Sequence, residues 1–355
     1  MLIFGVDINS KDDFGMTPLK YAISASQIKT ISFLLKNNAS FILNDELNIN
    51  AFHEAAKIPN LELNKLLYES CKDKTLIFSN TKQGNTVLHY LAKNNNLDVV
   101  EYYLNIGLDK YVNSKNEDGK TPIFELSQNT NPFVINFLMD KGLKNDINLQ
   151  DKDGRSPFFY CLNNINDNVV KLLLSLGSKK DLILKDSFGI TPLHIAATNK
   201  NYKIINMLLE TDAIHDINSK DKLGQTPPHY AANSQNENVI RLLLLYGADV
   251  NSTDNDGMTP LHHVFYKPLF DKNIIYNAHA AYALLEANPI LNSTDKYNAR
   301  PIRYAAMLGD TNLSIVKIML KKNAICNKVD LKYILRFSEN VHHFCPTHRV
   351  PRRTS

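Results

Sequence analysis

The sequence predicts an all-α solenoid of about nine helix-turn-helix units joined by β-hairpin-like loops. Three observations predict it. A segment reading roughly Gly-x-Thr-Pro returns at Gly15, Gly84, Gly119, Gly154, Gly189, Gly224 and Gly257, then decays to Asn298-Ala-Arg-Pro301. From Gly84 to Gly224 each step is 35 residues, and the next is 33. Between copies lie two short apolar stretches separated by a polar break. A fixed period of this size marks a one-dimensional stack of supersecondary units, each packed only on its neighbours.

Each element has a physical reason. Gly189 supplies the positive φ that a tight turn demands. Thr191 suits the N-cap, and Pro192 suits the first helical position, where its missing N–H costs nothing. Leu193, Ile195, Ala196 and Ala197 continue this first helix, and the small Ala pair admits a close neighbour. Thr198-Asn-Lys-Asn201 ends it. A second helix from Tyr202 to Glu210 carries Ile204, Ile205, Leu208 and Leu209 on one stripe. Other second helices read Val99–Leu104, Val134–Leu138, Val169–Leu174 and Val239–Leu244. Gly107, Gly142, Gly177 and Gly247 follow them, where a left-handed residue is wanted.

Turn, helix, helix and extended turn at this period, with Thr191-Pro-Leu-His-Ile-Ala-Ala197 and Leu243-Leu-Leu-Tyr-Gly-Ala-Asp-Val-Asn251, resemble the ankyrin repeat. The resemblance covers essentially residues 1–327. A unit without Gly-x-Thr-Pro sits at 43–78. It keeps Ala51-Phe-His-Glu-Ala-Ala56, and its Asn50 lies 33 residues after Thr17. Nine units follow: 10–42, 43–78, 79–113, 114–148, 149–183, 184–218, 219–251, 252–292 and 293–327. Residues 1–9 read as the tail of a truncated preceding repeat. Residues 328–337 read as a short capping helix, and 338–355 as a disordered tail.

Two breaks stand out. Gly257 and Asn298 are 41 residues apart, which places an insertion at 263–277. It reads as a longer helix-helix connection with tucked aromatics, or as an aromatic contact point for a partner. Arg300 stands at the Thr position of the last unit and reads as repeat degeneration.

The charge balance, 40 Lys and Arg against 36 Asp and Glu, describes a mixed surface. Nucleic-acid binding needs clustered cations, and the one basic run is Arg349-Val-Pro-Arg352-Arg353. No run reaches the ~18 apolar residues of a membrane span. Cys71, Cys161, Cys326 and Cys345 are too sparse for a disulfide framework, which points to a reducing cytoplasm. Abundant Lys, Asn and Ile match AT-rich genomes. For an intracellular organism, the location extends to delivery into a host cell.

His53, His89, His194, His229 and His262 share one slot of the repeat, one per layer, too far apart to converge on one ion. The resemblance gives them the role of bonding loops between units. His342, His343, Cys345 and His348 lie in the tail and read as unstructured rather than metal-binding. No phosphate-binding loop, nucleophile elbow or zinc-protease helix is present. The turn aspartates read as turn caps. The chain reads as non-enzymatic, without cofactor or metal.

The resemblance implies a monomeric scaffold that binds proteins on a concave face built from turn tips and first helices. Carried over by slot, the contact residues are Glu117, Asp118, Lys120, Lys152, Asp153, Arg155, Phe188, Ile190, Leu223, Gln225 and Met258, with Thr198, Asn199, Asn233 and Ser234 at first-helix ends. Phe188, Ile190, Leu223 and Met258 read as an apolar strip, with a charged edge at 117–155. The alternative makes this the ankyrin portion of a larger enzyme or host-directed effector, with the catalytic domain outside the chain.

Overall fold

In most repeats among the described residues, the second helix buries one apolar stripe against the first helix of its own repeat. The computed structural model describes residues 7–44, 46–162, 167–199, 201–211, 216–309, 312–327 and 329–330. The chain divides into two modules, Met1–Asp181 and Leu182–Ser355.

In the first module the pairs are α1 (Pro18–Ser24) with α2 (Ile28–Lys36), α3 (Ala51–Ala55) with α4 (Leu61–Ser70), and α5 (Val87–Leu91) with α6 (Leu97–Asn105). A 3-10 helix, Pro122–Gln128, then pairs with α7 (Pro132–Asp140), and α8 (Pro157–Cys161) with α9 (Asp167–Leu176). In the second module the pairs are α10 (Pro192–Thr198) with α11 (Tyr202–Leu209), and α12 (Pro227–Asn233) with α13 (Glu237–Leu245). Then come α14 (Pro260–Phe270) with α15 (Ala278–Glu286), and α16 (Pro301–Met307) with α17 (Leu313–Lys321).

Within each module, first helices pack on first helices of neighbouring repeats, and most second helices on second helices. Ala196, Ala197, Ala231 and Ala232 are all fully buried, so α10 and α12 approach closely. Ile204, Ile205, Leu208 and Leu209 form the buried stripe of α11. Full burial of such a side chain is worth about 1.5–3 kcal/mol, so one stripe outweighs any single cap.

Between repeats the chain makes a tight hairpin turn. In the second module Asp186, Asp221, Asp254 and Asp295 each donate their N–H to the carbonyl four residues later. Each also receives, at Oδ1, the N–H groups of the second and fourth residues after it. Only one loop forms a strand pair among the described residues, β1 (Ile42–Asn44) with β2 (Ile49–Asn50), antiparallel. Gly224 has φ +75°, and a Cβ there would meet Asn255 Oδ1 at 2.5 Å and Asn255 N at 2.8 Å. Glycine takes this backbone angle without strain, and the close approach of the next turn leaves no room for a β-carbon.

The turn tips form a ladder. Lys222 N–H donates to the Phe188 carbonyl at 2.8 Å, Asn255 N–H to Leu223 at 2.9 Å, and Lys296 N–H to Asp256 at 2.8 Å. The first module repeats this from Glu117 to Gln83 and from Lys152 to Asp118.

The histidines link layers as the resemblance implies. Thr191 N–H donates to His194 Nδ1 at 3.2 Å, which makes that nitrogen the acceptor. Nε2 therefore carries the proton and donates to the Gln225 carbonyl of the next repeat at 3.0 Å. His53, His89, His229 and His262 repeat both bonds, reaching Ser79, Lys120, Met258 and Ala299. Burial pushes His53 and His262 down to about 4 and His229 to about 3, and lowers His89 and His194 as well.

The last described repeat departs from this scheme for a legible reason. Its histidine slot holds Arg303, whose Nε donates to Asp330 Oδ1 at 2.7 Å. Arg300, in the Thr slot, places its guanidinium 3.9 Å from the other oxygen of the same fully buried carboxylate. What reads in the sequence as degeneration is a change of partner, from a backbone carbonyl to a carboxylate. Of the segment read as a capping helix, Val329 and Asp330 are described, and both are helical. The rest of it, the tail 338–355 with its histidines and cysteine, and residues 1–6 of the segment read as a truncated repeat lie outside the described residues.

The insertion is partly helix. α14 continues to Phe270 instead of ending after two turns, so the extra residues do not all lie between helices. Phe265 is fully buried and Tyr276 donates to Asn312 Oδ1 at 2.6 Å, whereas Phe270 and Ile275 are exposed.

Candidate functional site

The hairpin turns decide which side chains face solvent, because successive residues of an extended segment point to opposite sides. The residue before the turn glycine points outward. In the second module this slot holds Phe188, Leu223, Asp256 and Tyr297, and the ladder sets them in order on successive tips. Phe188 is 55% exposed, Leu223 62% and Tyr297 67%. Phe14, Phe133 and Leu245 are more exposed still, so what sets Phe188 and Leu223 apart is the ladder that holds their two tips side by side.

The residue after the turn glycine points toward the first helices. Ile190 and Gln225 are half-buried there, and Ala299 is fully buried. Met258 occupies the same slot and is only 6% exposed. The expected apolar strip therefore loses Met258. Its long side chain fills the interior, its N–H donates to Asp254 Oδ1, and its carbonyl receives the His229 proton.

The first-helix ends divide into two kinds. Thr198 and Ser234 are exposed, with hydroxyls donating to the Ile195 and Tyr230 carbonyls. Asn199 and Asn233 hold neighbouring repeats together. The Asn199 carbonyl accepts from Asn236 at 2.9 Å. Asn233 donates to Gln225 Oε1 at 3.3 Å and accepts from His263 Nδ1 at 2.8 Å.

The charged residues of the first module are similarly mixed. Glu117, Asp118, Lys152 and Asp153 are exposed, and Arg155 is half-buried. The Lys120 ammonium lies 3.9 Å from the Asp151 carboxylate and 4.5 Å from the centre of the Tyr160 ring. Burial works against its charge, but Tyr160 and Asp151 outweigh that and hold its pKa above the ordinary value.

A family-model match to ankyrin repeats, three copies to the model, runs over residues 1–77, 52–146, 125–221 and 213–267. The chain belongs to the ankyrin repeat family. Ankyrin repeats in general mediate protein–protein interaction, and the family is typically non-catalytic. Protein VAPYRIN-LIKE of Medicago truncatula is 26% identical over 107 residues, 30% of this chain and 22% of that protein. An ankyrin repeat protein of Acanthamoeba polyphaga mimivirus is 31% identical over 111 residues, 31% of this chain and 14% of that protein. The chain thus spans about a fifth of the first and a seventh of the second. The family match stops at 267, inside α14, yet α14 to α17 continue the ankyrin stacking.

Two features of this ankyrin surface escape slot-by-slot reading. Turn aspartates bond the residue nine positions on: Tyr160 to Asp151 at 2.6 Å, Tyr230 to Asp221 at 2.8 Å, and His263 to Asp254 at 2.7 Å. The recurring Asp and Tyr at that spacing carry the signal. The other is Tyr297, hidden because Asn298, with φ 55°, replaces the turn glycine after it. Among the described residues no helix is long and apolar enough to cross a membrane, and no group of three His, Cys, Asp or Glu is close enough to hold a metal.

Proposed function

We propose that the chain is a non-enzymatic binding scaffold that holds protein partners on the concave side of its ankyrin array, through the turn tips and exposed first-helix ends. The observation that carries this is the adjacency of Phe188 and Leu223. Both are exposed, and a 2.8 Å backbone hydrogen bond between their turns fixes their spacing. Rigid apolar anchors lower the ordering cost of association. The exposed Thr198 and Ser234 supply polar contacts at the edge of the same module. An array serving as the binding portion of a larger enzyme or host-directed effector would use this surface in the same way.

Affinity capture from extract of the source organism tests the proposal, comparing the native chain with a Phe188→Ala, Leu223→Ala variant. Partners retained by the native chain and lost from the variant are the expected result. Equal yields of the same partners from both would place the binding surface elsewhere.

A further inference from the structure

Three lysines surround the turns of the Phe188–Leu223 pair, and the exposed carboxylate in the same cleft as Lys185 is Asp216. Lys185, Lys220 and Lys222 are exposed residues of the same two turns. Lys185 Nζ donates to the Lys220 carbonyl at 3.2 Å, and Lys220 Nζ to the Thr253 carbonyl at 2.7 Å. These bonds set both ammonium groups along the ladder without neutralising them. Among the described residues no carboxylate forms an ion pair with any of the three. The turn aspartates Asp186 and Asp221 are buried, their Oδ1 atoms receiving turn N–H groups. The next tip marks the boundary of this field, where Lys296 is matched by Asp256 at 3.0 Å. Two exposed apolar anchors with three unmatched cations around them suit a segment whose apolar side chains alternate with carboxylates.

We propose that the partner's contact segment is an extended acidic-hydrophobic peptide, with Leu, Ile or Phe seated on Phe188 and Leu223 and adjacent Asp or Glu facing Lys185, Lys220 and Lys222. This rests on the binding role proposed above and names the chemistry of what is bound. A nucleic-acid strand is the competing occupant of a cationic, partly aromatic surface. The present surface favours a peptide, because Leu223 offers no stacking face and one tip further on the cation is already matched.

The test is selection from a phage-displayed library of random 16-residue peptides on the full chain. It is repeated on a Phe188→Ser, Leu223→Ser variant and on a Lys185→Glu, Lys220→Glu, Lys222→Glu variant, with circular dichroism showing that both keep native helicity. The expected peptides place Asp or Glu within three residues of an apolar anchor. They should lose roughly tenfold or more in affinity on either variant, and weaken with salt on the native chain. Peptides lost on the Ser variant but bound equally by the Glu variant would overturn the acidic partner and leave the binding surface standing. Peptides indifferent to both variants, or no enrichment, would overturn the surface as well. Single-stranded polyuridylate binding more tightly than the selected peptides would overturn the peptide in favour of nucleic acid.

Discussion

Gln235 donates from Nε2 to the Val264 carbonyl at 2.8 Å, in the place of a backbone bond that the chain cannot make. Pro268 sits inside α14 four residues after Val264, and proline has no N–H to give. The other end of the Gln235 amide receives the Asn277 N–H at 3.0 Å, and its carbonyl receives the Asn277 side chain at 3.1 Å. One side chain from the preceding repeat thus pins both ends of the insertion. Gln235→Ala should strand a buried carbonyl and cost about 2–4 kcal/mol. Denaturant unfolding checks the cost. Hydrogen exchange should place it in α14 and α15, and a loss below 0.5 kcal/mol, about the scale of a neutral surface change, would rule out the pin.

Arg303 and Asp330 should behave as a buried pair. Removing Arg303 leaves the fully buried Asp330 carboxylate with Arg300 alone, 3.9 Å away, so Arg303→Met should cost about 3 kcal/mol. Asp330→Leu by itself would strand Arg300, so the compensating variant is Arg300→Met, Arg303→Met, Asp330→Leu, which removes all three charges and should restore most of that loss. Urea unfolding of the native chain and the two variants measures it. A triple variant no more stable than Arg303→Met would show that the carboxylate is not what Arg303 holds.

Gly224→Ala should weaken the ladder at one tip. The left-handed φ costs a β-carbon about 1–2 kcal/mol, and the clash with the Asn255 backbone adds to it. The exposed Ser187→Ala, in the same module, is the control and should be near neutral. Thermal melts of both measure the difference. Equal melting temperatures would mean that the Asn255 turn relaxes freely.

How much of this was legible in the sequence depends on the reach of each interaction. The α11 stripe at Ile204, Ile205, Leu208 and Leu209 was readable because helix periodicity is local. The histidine slot was readable because it recurs. Gln235 was not, since its partners lie 29 and 42 residues away and belong to the single irregular repeat. Met258 was misplaced for a geometric reason. Slots on either side of the turn glycine look alike in sequence but face opposite ways, and only burial separates Met258 from Leu223. Arg303 was obscured because its slot is recognised by histidine, while the physical requirement is only a donor aimed at the next layer.

Asp181 predicts a stabilising substitution with a defined pH window. It is 1% exposed with neither carboxylate oxygen hydrogen-bonded among the described residues, and burial pushes it up to about 6. Its unfolded value is about 3.9. Folding therefore favours the protonated form. That contribution is complete below pH 4 and is lost as pH rises through 6. Asp181→Asn should gain about 1–3 kcal/mol at pH 7.5 and nothing at pH 4. Urea midpoints at the two pH values test it, and an equal gain at both would assign the effect to packing instead of ionisation.

The inter-layer histidines predict the opposite slope. Burial depresses the pKa of each ring, and the neutral form it favours is the one whose Nδ1 accepts the N-cap N–H while Nε2 donates to the next layer. A depressed value means that the stability is fully present above the unfolded pKa near 6.5 and is lost as pH falls from there. For His53, His229 and His262 the loss continues to about 4, 3 and 4 respectively. Across that window each ring should contribute roughly 1.4 kcal/mol of destabilisation per pH unit. Three such rings exceed the opposing gain from Asp181. The urea midpoint should therefore fall steeply between pH 6.5 and 4.5, with net proton uptake on unfolding. His262→Gln keeps an acceptor and a donor without a titrating ring, so it should flatten the slope by about one proton. A slope unchanged by that substitution would mean that His262 is already protonated in the folded layer and does not accept from Thr259.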